Sequence, residues 1–249
     1  GQQQLATARP DQRARVEVLQ KDLDQAVQQL RASNAGRAAL STMPWYMVIG
    51  PPGSGKTTLL RESGIRFPLM SKGRAKLRGV GGTRNCDWWF ADQAILLDTA
   101  GRYTTEFEDR DEWLAFLHML RKSRKHQPIN GVVVAISMSE LLEGDAAEVE
   151  SHADNVRERV GELTRELGVT FPVYIVFTKC DQLGGFIEFF EGLTKTDRKQ
   201  IWGFTLPYGS EVEPTDADAI EAGFDELYQG LISRRMERLS VEMPRRKKE

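Results

Sequence analysis

Cysteine is almost absent from this chain: Cys86 and Cys180 are the only two in 249 residues. A small secreted domain built on disulfides needs a denser framework, so the pair points to a reducing compartment. Histidine is scarce as well. His118, His126 and His152 share no spacing with one another or with a cysteine, which argues against a histidine- or thiolate-bound metal. No apolar run reaches the roughly eighteen residues that a bilayer crossing demands, and residues 1–4 carry no apolar signal region. A basic excess is also lacking. With 34 Lys and Arg against 36 Asp and Glu, the net charge is -2 and general nucleic-acid binding is disfavoured. One local basic run, Arg245-Arg246-Lys247-Lys248, reads as a solvated tail. The chain opens on Gly1 rather than Met and reads as a piece of a longer protein, which leaves a membrane anchor outside it open.

What is present is ordinary in bulk and periodic in detail. Apolar residues make up 40% and charged residues 28%, the balance of a globular domain. A chain of this length buries one substantial core and leaves something for appendages. After Pro10, Val16, Leu19, Leu23, Ala26 and Leu30 recur at three- and four-residue spacing. They predict an amphipathic helix over residues 11–33, packed on the domain's flank or held in a coiled-coil contact. Residues 45–49 predict a buried strand, and the stretch from Lys56 to about Gly64 a helix. Residues 87–90 and 94–97 flank a turn and predict a β-hairpin, with Trp88 and Trp89 on opposite faces. Trp113, Phe116, Leu117 and Leu120 share one helical face. Residues 132–136 and 173–177 read as buried strands. Between them, Val149, Ala153, Val156, Val160, Leu163 and Leu167 mark a long helix stopped by Gly168. Glu140, Glu143, Asp145, Glu148 and Glu150 read as the acidic opening of a helix, suited to its dipole. Residues 201–206 predict a last strand, and Ile220, Phe224, Leu227 and Leu231 a C-terminal helix. Strand and helix alternate, with one early hairpin, so the expected architecture is an α/β layered sheet that is mostly parallel.

The chemistry concentrates after the first strand. Gly50-Pro51-Pro52-Gly53-Ser54-Gly55-Lys56-Thr57 fits G-x-x-x-x-G-K-[ST] between strand and helix, the context in which that spacing cradles a polyphosphate. Glycines let consecutive backbone N–H groups turn onto an anion, and the helix that follows adds its dipole. Expected nucleotide contacts here are Gly50, Gly53, Ser54, Gly55, Lys56, Thr57 and Thr58, with Lys56 on the β/γ-phosphates and Thr57 on Mg²⁺. Asp98-Thr99-Ala100-Gly101 follows an apolar run, which places Asp98 near the metal and the Gly101 N–H near a γ-phosphate. In Thr178-Lys179-Cys180-Asp181, the aspartate can accept from guanine's ring N–H and exocyclic amine, a donor pair that adenine lacks. Lys179 can lay its stem along base or ribose. Thr83, in the glycine-rich residues 79–84, is a candidate Mg²⁺ ligand that joins only when a γ-phosphate is present.

This order of features resembles the Ras-like GTPase superfamily. The detail is similar to the TssM (IcmF) family, inner-membrane components of the bacterial type VI secretion system. The residues carrying that likeness are Pro44-Trp45-Tyr46 before the loop, residues 81–90 with Trp88-Trp89, residues 97–103, residues 177–181 and Trp202-Gly203-Phe204, within about residues 44–207. The resemblance implies a Ras-like P-loop GTPase fold over residues 43–210, with helical extensions over residues 1–42 and 211–249. It implies GTP or GDP with Mg²⁺ as ligands, and a place on the cytoplasmic face of the inner membrane, anchored by segments outside this chain. It further implies contact with the TssL cytoplasmic domain and baseplate components, and with the lipoprotein TssJ through other parts of the full protein.

Two departures from the GTPase pattern matter. Arg102 stands where Ras-type enzymes carry a water-orienting glutamine, and a guanidinium has no acceptor with which to act as base, so turnover is expected to be slow. Lys56, Thr83 and Arg102 form the candidate catalytic set, Arg102 or Arg84 serving to stabilise transition-state charge. Thr178 stands where asparagine is commoner, which is expected to weaken its tie to the phosphate loop. Three readings stay open: a GTPase switch, a P-loop ATPase energising secretion, and a docking domain with little or no hydrolysis.

Overall fold

The computed structural model describes residues 16–21, 24–25, 27–28, 42–67, 86–105, 109–206 and 217–242. The chain divides into two compact units, residues 1–183 and 184–249.

The first unit is built on a five-stranded sheet of β1 (Trp45–Ile49), β2 (Cys86–Phe90), β3 (Ile95–Thr99), β4 (Gly131–Ser137) and β5 (Val173–Thr178), in the order β2-β3-β1-β4-β5. β1 runs parallel to β3 and to β4, and β4 parallel to β5, while β2 folds back antiparallel on β3 across residues 91–94. The expected sheet, mostly parallel with one hairpin strand, is therefore present. The helices of this unit are α1 (Lys56–Glu62), α2 (Arg102–Thr105), α3 (Arg110–Ser123), α4 (Met138–Glu143) and α5 (Ala146–Leu167). Residues 16–21 are helical too, and Leu19 is buried in the main core, a flank-packing role for that segment.

Strand alternation divides the apolar side chains between two faces. Trp45, Met47, Ile49, Ile95, Leu97, Val132 and Val134 point to one side, against Trp113, Phe116, Leu117 and Leu120 of α3 and Leu163 and Leu167 of α5. Each such side chain taken fully out of water contributes ~1.5–3 kcal/mol, which makes this face the stabilising core. Val48, Leu96 and Trp89 face the other way with Leu60 of α1. The indole pair obeys the same rule: Trp88 meets Trp45 edge-on at 5.4 Å, and Trp89 meets Phe67 at 5.0 Å.

Several sequence expectations are corrected. The run at 173–177 is apolar, yet β5 lies at the sheet's edge with Val173, Tyr174, Ile175 and Phe177 exposed rather than buried. The acidic stretch from Glu140 does not open a single helix. Gly144 and Asp145 separate α4 from α5, and Asp145 forms a capping box with Glu148 at the start of α5. Gly168 closes α5 in the left-handed conformation, as its position predicts.

The second unit contains α6 (Phe186–Phe190), a 3₁₀ turn at Asp197–Lys199 and α7 (Ala217–Glu242). Residues 201–206 have no strand pairing, contrary to expectation. Arg234 lies over the rings of Phe189 and Phe190 at 5.8 and 5.5 Å, and Phe204 meets Phe224 edge-on at 5.3 Å. Among the described residues no helix is long and apolar enough to cross a membrane.

Candidate functional site

Because β1, β3, β4 and β5 are parallel, their carboxyl ends share one edge of the sheet, where ligands of open α/β sheets bind. The loop at residues 50–55 follows β1, Asp98 lies near the end of β3, Glu140 follows β4, and Thr178–Asp181 stands at the end of β5. The topology thus brings together residues separated by more than a hundred positions.

The loop is shaped by backbone conformations that side chains resist. Gly53 and Gly55 sit at φ 80 and 82, and Gly55 opens α1 with no side-chain cap. Gly101 packs so closely under the loop that a Cβ there would lie 2.4 Å from the Pro52 nitrogen. Lys56, at 6% exposure, folds its ammonium back into the loop and donates to the carbonyls of Gly50 (2.7 Å) and Pro51 (2.9 Å) and to Ser54 Oγ (3.3 Å). Burial lowers its pKa to about 8, against the pull of Asp98 and Glu140 toward the charged form.

Beside it, Thr57 Oγ1 donates to Asp98 Oδ2 at 2.6 Å, and the Asp98 side chain is wholly buried. This hydroxyl–carboxylate pair is the hard-oxygen donor set that suits a magnesium ion. Thr58, the next residue of α1, is exposed. At the far wall, Thr178 Oγ1 donates to the Ser54 carbonyl at 2.6 Å and approaches the Ile136 carbonyl at 3.2 Å. Threonine, expected to weaken the tie to the loop, does make one, because the end of β5 abuts the loop. Lys179 takes a left-handed backbone (φ 56), which starts the 3₁₀ turn at Cys180–Gln182 and leaves Asp181 exposed.

Arg102 is committed elsewhere. Its guanidinium donates to both carboxylate oxygens of Glu112 (3.0 and 2.7 Å) and pairs with Asp109 at 2.5 Å, both acids being buried. Burial opposes its charge, but Glu112 and Asp109 outweigh that and hold the guanidinium above its ordinary range. Thr83 and Arg84 lie outside the described residues.

Sequence reasoning passed over two groups. Glu140 stands 3.6 Å from Lys179 Nζ, and a Cβ built on Gly53 would meet its carboxylate at 3.6 Å. Read in the sequence only as part of an acidic helix opening, it also carried the pattern Ser137-x-x-Glu140 directly after a strand, a helix cap. The partners of Arg102 had a similar signal, an acid at the N-cap position, Asp109, followed three residues later by Glu112 in the first turn of α3. Among the described residues no group of histidines, cysteines and acids could hold a metal on its own.

Fold and site together define an α/β domain whose glycine-rich loop closes on a lysine, hydroxyls and carboxylates at the carboxyl ends of parallel strands. The sequence matches the IcmF-related N-terminal domain over residues 106–249, and the chain belongs to that family. It is 47% identical over 234 residues to type VI secretion system component TssM1 of Pseudomonas aeruginosa. That match covers 90% of this chain but 21% of the relative, so the chain spans about a fifth of the relative's length. A solved structure of the signal recognition particle receptor SRb-GTP/SRX complex from Chaetomium thermophilum overlaps 62% of this chain and 84% of its own. The identity is 18% and the TM-score 0.39, a likeness too slight to carry an argument.

Proposed function

We propose that residues 43–183 form the nucleotide site of a Ras-like, GTPase-type domain that acts in assembling or docking a type VI secretion apparatus. The observation that carries this reading is the convergence on one loop of three contacts: the enclosed Lys56 ammonium, the Thr57–Asp98 pair, and Thr178 tied to Ser54. Gly50, Gly53, Ser54 and Gly55 would offer backbone N–H groups to the phosphates, Lys56 its charge, and Gly101 an N–H at the far phosphate. Thr57 and Asp98 would hold Mg²⁺, with Thr83 as a further ligand; bound there, the ion neutralises phosphate charge. Lys179 would flank the base or ribose, and Asp181 would select guanine.

The same geometry favours binding of nucleotide without rapid hydrolysis. Arg102 has no acceptor for an attacking water, and its donors are spent on Glu112 and Asp109. A docking domain whose nucleotide is chiefly a structural ligand is thus the second reading. A P-loop ATPase is the outcome in which adenine and guanine nucleotides bind alike. In the family this chain belongs to, such a domain would sit on the cytoplasmic face of the bacterial inner membrane. It would contact the TssL cytoplasmic domain and baseplate components there, and TssJ would join through other parts of the full protein.

Calorimetric titration with GDP, a non-hydrolysable GTP analogue and an ATP analogue, each with Mg²⁺, tests the reading. Guanine nucleotides should bind tighter than ATP, Asp181→Asn should erase the preference, and Lys56→Ala should abolish binding. Unchanged affinity in Lys56→Ala would sink the loop assignment. Equal ATP and GTP binding, untouched by Asp181→Asn, would sink the guanine assignment alone.

A further inference from the structure

Among the described residues, Glu140 is a carboxylate that overlooks both the phosphate loop and the turn after β5. Its side chain leaves the first turn of α4, comes within 3.6 Å of Lys179 Nζ, and hangs over Gly53. Its charge is also felt by Lys56, second only to that of Asp98. The side chain suits the dipole of α4 from its first turn, but the hydrogen bonds that Glu140 gives this helix come from its backbone. The backbone N–H of Glu140 bonds to Ser137 Oγ, and its carbonyl accepts from the Gly144 N–H. An acid in this place does nothing for a polyphosphate, which would bring several negative charges to the same loop.

We propose that Glu140 is an affinity-setting residue of this site: its carboxylate serves as a built-in anion that occupies Lys179 and opposes nucleotide phosphates at the loop. The inference rests on the nucleotide reading above. When a nucleotide binds, Lys179 must leave Glu140 to lie along the base or ribose, and the freed carboxylate then faces the phosphates across Gly53. Both steps lower affinity. Both weaken if the charge is removed while the shape is kept. The site is accordingly tuned to release its ligand more readily than the loop alone would allow.

The test is titration of wild type, Glu140→Gln, Lys179→Met and the double variant with GMP, GDP and a GTP analogue plus Mg²⁺, at low and high salt. Glu140→Gln should tighten binding by about three- to tenfold, more for the triphosphate than for GDP and least for GMP. The gain should shrink as salt screens the pair. In the Lys179→Met background it should grow, since no cation then shares the carboxylate. Glu140→Asp, which keeps the charge on a shorter stem, should stay near wild type. Unchanged or weaker binding by Glu140→Gln, or a gain indifferent to ligand charge and salt, overturns the proposal. A wild type that binds none of the three, with Glu140→Gln equally inert, overturns the nucleotide reading and this inference with it. Binding that appears only in Glu140→Gln supports both.

Discussion

Because the Lys56 ammonium is enclosed by its own loop, it gives up its proton near pH 8, below the ordinary lysine value of 10.5. The folded pKa is the lower one, so between about pH 8 and 10.5 the unfolded chain holds a proton that the folded chain has lost. The contribution of this residue to stability therefore rises with pH across that window. Nucleotide affinity should move the opposite way, since a neutral amine no longer attracts phosphate. GDP binding at pH 9 is expected to be weaker than at pH 7 by about tenfold. Urea unfolding from pH 7.5 to 10 should show a rise that Lys56→Met lacks. Parallel pH profiles for the two proteins would rule out this role for burial. At this scale the sequence was informative about residue types and silent about reach. The spacing of residues 50–57 named the lysine and the hydroxyl. That Thr178 would touch Ser54 depended on the distance between the end of β5 and the loop, which no local pattern encodes.

Among the elements, α3 and α5 are joined by a buried acid rather than by apolar packing alone. Glu162 accepts from Arg110 Nε (2.8 Å), Trp113 Nε1 (3.1 Å) and Arg159 Nη1 (2.5 Å), and both Glu162 and Arg159 are buried. Removing one partner leaves the other's charge uncompensated, so Glu162→Ala should cost about 3–5 kcal/mol. Glu162→Gln, which keeps an acceptor for the indole, should cost less. Chemical denaturation measures both; a loss below about 1 kcal/mol for the alanine variant would mean that α3 and α5 hold without this acid. The apolar stripes of both helices were legible because a period of 3.6 exposes a face. Glu162 was not, since a charged residue within a helix resembles a solvated one until its partners on the other helix, some fifty residues away, are known. The error at β5 has the same root in reverse. An apolar run records what a strand can bury, and only the strand order reveals that β5 has a neighbour on one side.

At the scale of the molecule, the alternation of strands and helices was enough to give a mostly parallel sheet, and parallel strands necessarily bring their carboxyl ends to one edge. The site's composition follows from that, because the loop, Asp98, Glu140 and Thr178 each stand near or after such an end. A ligand seated there should stabilise the whole unit by mass action, with no need for new contacts in the core. At a hundredfold excess over its dissociation constant a nucleotide adds about 2.7 kcal/mol. For a chain of this size that corresponds to a rise in Tm of about 5–10 °C. Tryptophan fluorescence is the suitable probe, since Trp45, Trp88, Trp89 and Trp113 all belong to the first unit and Trp202 alone to the second. Mg²⁺ with GDP should raise the midpoint seen by this signal, Mg²⁺ alone should raise it far less, and Lys56→Ala should show no nucleotide-dependent shift. If Lys56→Ala is stabilised as much as wild type, the nucleotide binds somewhere other than the loop at residues 50–57.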